Sequence, residues 1–253
     1  MEEINQMRQW KKSLLIFALG ITLLLGGCSG GSSKAISIYN DAQKALMKLD
    51  SYKLESVSIN RPNDPELDPE IAANSVISRT DTILFNIVGG KKVSYTDIAY
   101  SGDNAAANSQ YFIDHKNKEY YAKDSEGWRS FEANSLSKQS PASSDKIYWV
   151  TVDSKTVESA NVEETPEGYK VSYVLSNKAL EEYASSNPMN LDEVSSITME
   201  LTTDKENRPL TLNSKYSFTR EIQDQKMYIS VEDILTFSDF NTTEKLIKEN
   251  IVK

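Results

Sequence analysis

The clearest secondary-structure pattern in the chain is that of residues 194–241, VSSITMELTTDKENRPLTLNSKYSFTREIQDQKMYISVEDILTFSDFN. Apolar and polar residues alternate through three runs of it, and turn-forming residues separate the runs at 204–209 and 221–225. Alternation with a period of two predicts antiparallel strands with one apolar and one solvated face. Ser214 interrupts the apolar series of the second strand, and Asp233 that of the third. The apolar series comprises Ile197, Met199 and Leu201, then Leu210, Leu212, Tyr216 and Phe218, then Met227, Ile229, Val231, Leu235 and Phe237.

The rest of the chain extends this pattern. Strands are predicted at 52–60, at 79–100 as a pair around the turn Gly89-Gly90, at 110–131 as a meander with turns at 114–118 and 124–127, and at 157–176 as a hairpin about 165–168. Helices are predicted from Ala35 to about Leu49, over 177–188 and at the end of the tail 242–252. The segment 145–153 fits either a strand or a helix.

The apolar faces of these strands need a cover. Roughly nine or ten antiparallel strands cannot all be covered by one helix of about 15 residues. Either the sheet curls on itself, or a second helix and a ligand fill its concavity.

The beginning of the chain predicts a targeting segment, residues 1–27, rather than part of the fold. Arg8, Lys11 and Lys12 give it a positive start, and the apolar run 14–25 is shorter than the roughly 20 residues that a membrane helix needs. The order Leu25-Gly26-Gly27-Cys28 that follows resembles the lipobox of bacterial lipoproteins.

The lipobox resemblance implies that residues 1–27 are a signal peptide and that the thiol of Cys28 receives a diacylglycerol, a palmitate-type membrane anchor. Two acyl chains anchor a protein stably, whereas one holds it only marginally. Residues 28–34 then serve as a flexible tether, and 35–253 form a single domain at the extracytoplasmic face of the cell membrane. The alternative is an uncleaved anchor near whose end the only cysteine stands by chance.

The composition limits the partners. A formal net charge of −9 argues against nucleic acid and against a polybasic face that binds membranes. A hydrophobic fraction of 39%, with 13 Tyr and 7 Phe, is high enough for a globular core.

The sequence offers no group of residues for catalysis, so no enzyme, metal or cofactor is expected. His115 is the only histidine, and its position in a predicted turn is typical of a solvated side chain rather than of a catalytic triad. One histidine and one cysteine exclude the usual His/Cys zinc sites. A calcium site can be argued for the acids of the loop 60–70, but their spacing does not match an EF-hand and a solvated loop is favoured. These acids are Asp64, Glu66, Asp68 and Glu70.

Large apolar side chains are the remaining signal for function, because aromatic residues give extensive contact with modest loss of entropy. Two interpretations stay open, core packing and the lining of a ligand cavity, and they are compatible because a carrier cavity is a core left partly unfilled. The predicted lining residues are Phe85, Tyr111, Tyr121, Met199, Tyr216, Phe218, Ile229 and Phe237.

Three phrases carry a resemblance that covers nearly all of residues 35–240: LDSYKLES (49–56), YFIDHKNKEYYAKDSEGWRSF (111–131) and ITMELTTDKENRPLTLNSKYSF (197–218). Together with the lipobox and the order of elements, they resemble the LolA/LppX-like lipoprotein superfamily, and most closely its uncharacterised members from Gram-positive bacteria. The resemblance implies an α+β fold in which a strongly curved antiparallel sheet, a half-barrel, wraps around a few helices.

The resemblance also implies a function, since several members of that superfamily carry lipids or acyl chains between sheet and helices. The chain is therefore expected to be a membrane-anchored lipoprotein that binds a lipid or other hydrophobic ligand, as a carrier or a sensor. The alternative is an interaction module that docks a protein partner of the cell envelope and has no small ligand.

Overall fold

The computed structural model describes residues 30–62, 76–101, 108–132, 150–184, 193–222 and 225–253. The helices in these ranges are α1 (Gly30–Leu46), a 3₁₀ helix (Asn177–Leu180), α2 (Glu181–Ala184) and α3 (Lys248–Ile251). The strands are β1 (Ser51–Pro62), β2 (Ile77–Val88), β3 (Lys91–Tyr100), β4 (Ser109–Asp114), β5 (Glu119–Asp124), β6 (Gly127–Ser130), β7 (Val157–Thr165), β8 (Gly168–Leu175), β9 (Ile197–Asp204), β10 (Pro209–Ile222) and β11 (Gln225–Ser238).

These eleven strands form one antiparallel sheet, in the order β6-β5-β4-β3-β2-β1-β11-β10-β9-β8-β7. Strands β1 to β6 form one meander, β7 to β11 form a second, and the two join where β1 pairs with β11. The sheet is curved but does not close, because β6 and β7 are its two edges. The predicted α+β half-barrel is confirmed.

Three glycines show how the sequence sets a turn and the approach of two strands. Gly89 and Gly90 connect β2 to β3 with φ angles of +62° and +74°, a backbone conformation that glycine adopts at no steric cost. Gly168 begins β8, where an added Cβ would lie 2.2 Å from the carbonyl oxygen of Thr203. Its lack of a side chain therefore allows β8 to approach β9 closely.

The inner face is the face of the sheet on which α1 packs. Directly paired residues of neighbouring strands point to the same side, so Leu54 shares the inner face with its partners Ile83 and Phe237. All three are buried in one core with Ala42 and Leu46 of α1.

Two tyrosines position α1 against the sheet. The Tyr39 hydroxyl donates a hydrogen bond to the carbonyl oxygen of Val150 at 2.7 Å, and the Tyr173 hydroxyl donates to that of Ala35 at 2.8 Å. The two rings meet edge to face, with centroids 6.3 Å apart. Because α1 packs against β7 and β10, it covers that part of the inner face.

Helix α1 begins at Gly30 rather than at Ala35, so residues 30–34 of the predicted flexible tether are helical. Lys34 forms an ion pair with Glu164 of β7, at 2.6 Å, and lies 5.2 Å from the ring centroid of Tyr169. These contacts hold the first turn of the helix against the sheet. Residues 1–27 and Cys28 lie outside the described residues. No described helix has both the length and the apolar character that crossing a membrane requires.

The C-terminal segment 239–253 crosses the opposite face of the sheet, the outer face. The side chain of Asn86 accepts a hydrogen bond from the backbone N–H of Leu246 at 2.6 Å and donates to the carbonyl oxygen of Glu244 at 3.3 Å. Lys248 lies 2.5 Å from Glu119 and 5.1 Å from the ring centroid of Tyr121. The C-terminal segment therefore spans the outer face from β2 to β5.

Candidate functional site

The register places all but one of the predicted lining residues on the inner face. Phe218 pairs with Ile229, for example, and Ser214, two residues from Tyr216 on the same strand, pairs with Met199. The residues on the inner face are Phe85, Tyr111, Met199, Tyr216, Phe218, Ile229 and Phe237.

Tyr121 is the exception, and its prediction as a lining residue is wrong. It pairs with Phe112, which pairs with Tyr95, and this series lies on the outer face. The turn between β4 and β5 brings Tyr111 opposite Ala122 rather than opposite Tyr121. Because successive strand residues point to opposite sides, Tyr111 faces inward and Tyr121 outward, where Lys248 covers its ring.

Four of the inward-facing residues pack in the core. Phe85, Met199, Tyr216 and Phe237 are 0%, 3%, 4% and 3% exposed. The ring of Phe85 stacks on that of Tyr52 at 4.7 Å. At these four positions the side chains fill the interior rather than border a hollow.

The remaining inward-facing residues are only partly buried, and two of them lie together near the β10–β11 turn. Phe218 and Ile229 face each other across the strand pair, and the Phe218 ring stacks on Tyr216 with centroids 6.1 Å apart. Met227, the next inner-face residue of β11, is 38% exposed. We call Phe218, Ile229 and Met227 the hairpin patch. Tyr111 lies apart from it on β4, edge to face with Phe131 at 6.3 Å.

A polar row crosses the inner face within the core, and the buried pair Tyr216 and Val231 separates it from the hairpin patch. It consists of Arg79, Ser58, Asp233 and Ser214, which pair in this order across β2, β1, β11 and β10. The sequence alone shows Ser214 and Asp233 as interruptions of an apolar series, but it does not reveal the other two members. The strands that contain Ser58 and Arg79 alternate too weakly for a polar inward position to stand out.

Asp233 is the buried charge of the polar row. It is 9% exposed, and among the described residues the Ser58 hydroxyl donates a hydrogen bond to its carboxylate. Burial raises the pKa of Asp233 to about 6 from the ordinary value of 3.8, and the hydrogen bond from Ser58 opposes that rise. A carboxylate has about four lone-pair sites, so within the described part of the chain this one hydroxyl leaves acceptor capacity unused.

Arg79 is already neutralised by a neighbour. Its Nε and Nη2 donate to the two carboxylate oxygens of Asp81, each at 2.7 Å. Such a bidentate pair is strong and directional. Asp81 is 4% exposed, and the guanidinium also lies 5.8 Å from the ring centroid of Tyr100. The charge of Arg79 is therefore directed to Asp81 rather than to Asp233.

Further hydroxyl groups face inward beyond the polar row. Ser94 pairs with Phe85 and Thr96 with Ile83, and both are at most 1% exposed. The hydroxyl groups of Ser94, Thr96 and Tyr52 have no hydrogen-bond partner within the part of the chain that the structure describes. Burial raises the pKa of Tyr52 above its ordinary value. The inner face is thus more polar along β1 to β3 than its apolar alternation predicts.

A separate cavity of about 580 Å³ lies at the outer face of β7 to β10. Glu200 pairs with Ser172 on one side and with Asn213 on the other, and this series points away from α1. Its walls combine polar side chains with apolar surface, and it lies on the face opposite to the predicted hydrophobic hollow. The walls comprise Ser159, Ala160, Asn161, Ser172, Tyr173, Val174, Thr198, Met199, Glu200, Asn213 and Lys215.

The described residues contain no group of three or more His, Cys, Asp or Glu side chains that could hold a metal ion. The acidic loop considered for calcium lies outside them. His115 lies in the turn between β4 and β5, as predicted, with its ring 5.9 Å from that of Tyr120.

Comparison with protein-family models and with curated proteins gave no match. Among solved structures, the chain is similar to LprF from Mycobacterium bovis, with 12% identity over 86% of this chain and 97% of that one and a TM-score of 0.44. It is similar to the Mycobacterium tuberculosis lipoprotein LppX, with 9% identity over 85% and 99% and a TM-score of 0.44. A LolA superfamily protein from Nitrosomonas europaea matches with 11% identity over 87% and 97% and a TM-score of 0.33. These neighbours include both kinds of protein that the sequence resemblance named. At such identities the likeness concerns the fold alone.

Proposed function

We propose that this chain is an extracytoplasmic lipoprotein, anchored through diacylated Cys28, that binds a lipid or other hydrophobic molecule on the inner face of its half-barrel. The observation that carries the proposal is the hairpin patch. Phe218, Ile229 and Met227 point to the same side as the core, yet they stay partly exposed while the neighbouring Tyr216 and Val231 are buried. Apolar surface of this kind gains free energy when a ligand removes it from water.

The anchor and the half-barrel support each other in this proposal. A diacylated N-terminus keeps the domain at a membrane surface, where lipids are available. The open edges β6 and β7 leave the sheet unclosed, so a ligand can enter without the separation of paired strands. No group of residues among those described supports a reaction, and the proposed role is binding, as a carrier or a sensor.

Docking of an envelope protein without a small ligand is the second candidate. The outer cavity favours it, because it combines polar side chains such as Glu200, Asn213 and Lys215 with apolar surface, a mixture typical of protein–protein contacts.

The test is to express residues 29–253, extract the purified protein with organic solvent and identify bound molecules by mass spectrometry. We expect about one lipid per chain, as for a preformed binding site. Phe218→Glu places a charge in the hairpin patch and is expected to remove the lipid. Tyr228→Glu is the matched control, because Tyr228 lies beside the patch on the outer face and is 39% exposed. An empty extract from the unmodified domain, with no uptake of the neutral probe N-phenyl-1-naphthylamine, would overturn the proposal and favour docking.

A further inference from the structure

The polar row gives the proposed ligand site a chemical preference. We propose that it holds the polar head of an amphiphilic lipid, a head that donates hydrogen bonds through hydroxyl or amino groups and carries no negative charge. The acyl chain of that lipid lies along the hairpin patch. This inference rests on the proposed lipid-binding function and specifies the class of lipid.

The position of the carboxylate is the first argument. Asp233 is nine-tenths buried on the inner face, between Ser58 and Ser214 of the neighbouring strands. Along its own strand it is flanked on the same face by Val231 and Leu235, which are 5% and 4% exposed. A buried carboxylate is costly unless donors approach it, and among the described residues one serine hydroxyl does so. A ligand that brings donors completes this site.

The charges around Asp233 are the second argument. Arg79 is the cation of the polar row, and its Nε and Nη2 already donate to the two carboxylate oxygens of Asp81. An anionic head would meet the negative charge of Asp233 without a compensating charge from Arg79. If Arg79 turned to the head, it would leave the carboxylate of Asp81, which is only 4% exposed, without its partner. A neutral or positively charged donor avoids this repulsion.

The geometry of β11 is the third argument. Asp233 and Ile229 lie on one face of the strand, four residues apart, which corresponds to roughly 13 Å. Val231 and Tyr216 form the apolar pair between them. A lipid head at Asp233 therefore directs its chain past this buried pair to the hairpin patch, where the exposed apolar area lies.

The experiment compares two lipids with the same chain and different heads, 1-oleoylglycerol and oleate, at pH 7.5. Each displaces N-phenyl-1-naphthylamine from residues 29–253, which contain every element of the described fold. We expect 1-oleoylglycerol to displace the probe at a concentration about tenfold lower than oleate does. A difference of this size corresponds to one hydrogen bond to a charged group. Asp233→Asn is expected to bring the two within about threefold, because it removes the charge that repels oleate.

The matched control is Glu232→Gln, which makes the same carboxylate-to-amide change one residue away on the outer face. It is expected to keep the tenfold preference. Equal displacement by both lipids in the unmodified domain would overturn the inference while leaving the proposed function intact. An unchanged preference in Asp233→Asn would also overturn it. Failure of the domain to bind the probe or either lipid would instead contradict the proposed function itself.

Discussion

Asp233 on β11 lies directly opposite Ser214 on β10, and Ser58 on β1 lies on its other side. Three polar side chains thus face one another on the inner face, while the flanking positions Val231 and Leu235 are apolar and buried. The carboxylate of Asp233 is consequently removed from water without a full set of donors from the described residues, which explains why its pKa rises to about 6.

The raised pKa predicts the sign of a pH effect on stability. The folded chain binds the proton of Asp233 more tightly than the unfolded chain, so this group favours the folded state fully below about pH 4 and loses that contribution as pH rises through about 6. Asp233→Asn is therefore expected to be more stable than the parent by about 2 kcal/mol at pH 7, with a smaller difference at pH 4. Urea unfolding at both pH values measures this.

Glu232→Gln is the control for that experiment and should show the opposite sign. Lys215 and Arg61 hydrogen-bond to Glu232 and lower its pKa, so its charged form stabilises the fold at neutral pH and loses that effect in acid. If the difference in the free energy of unfolding between Asp233→Asn and the parent is the same at pH 4 and pH 7, the raised pKa of Asp233 is contradicted.

Tyr216 and Phe218 are adjacent inner-face residues that should respond differently to truncation. Tyr216 is 4% exposed and belongs to the core, so Tyr216→Ala is expected to lower the free energy of unfolding by about 3 kcal/mol or more. Phe218 is only partly buried, so Phe218→Ala should destabilise less and weaken binding of N-phenyl-1-naphthylamine severalfold. Denaturant unfolding and probe titration separate the two effects. Equal destabilisation with unchanged probe binding would make Phe218 an ordinary core residue.

The C-terminal segment should be released by loss of one side chain. Asn86 bonds to the backbone of Leu246 and Glu244 and is 6% exposed. Asn86→Ala removes both bonds and is expected to cost about 2 kcal/mol. Hydrogen exchange at the Leu246 amide should accelerate while that of β9 stays protected. Asn250→Ala, at an exposed position of the same segment, is the control. Unchanged exchange at Leu246 would show that other contacts hold the segment.

If Cys28 carries the lipid anchor, Cys28→Ala should prevent lipidation of the chain and its association with membranes. The unmodified chain is expected to incorporate labelled palmitate and to be found with membranes, and the variant is expected to incorporate none, because it lacks the thiol that accepts the diacylglycerol. Labelling of the variant at the level of the parent would contradict lipidation at Cys28.

Most of the sheet could be predicted from local sequence. The alternation in 194–241 and the turns at Gly89-Gly90 and 165–168 depend on neighbouring residues, and these elements formed as expected. The outward direction of Tyr121 could not be predicted in the same way. It depends on the register between β4 and β5, in which Tyr121 pairs with Phe112, and the sequence of the turn leaves that register open.

The site was harder to predict because it depends on contacts far apart in sequence. Ser214 and Asp233 were visible as polar interruptions, but their link to Ser58 and Arg79 requires the pairing of β1 with both β11 and β2. The position of α1 likewise decides which aromatic residues are core. Helix propensity does not reveal that Tyr39 bonds to Val150, more than a hundred residues later.

Photo-crosslinking with a monoacylglycerol that carries a diazirine in its acyl chain locates the bound lipid directly. After irradiation, peptide mapping by mass spectrometry locates the attached lipid on residues 29–253. We expect attachment at the hairpin patch, Phe218, Met227 and Ile229, and its suppression by unlabelled 1-oleoylglycerol. Attachment at outer-face residues such as Tyr228 and Tyr121, or attachment that the unlabelled lipid does not suppress, would contradict lipid binding at this patch.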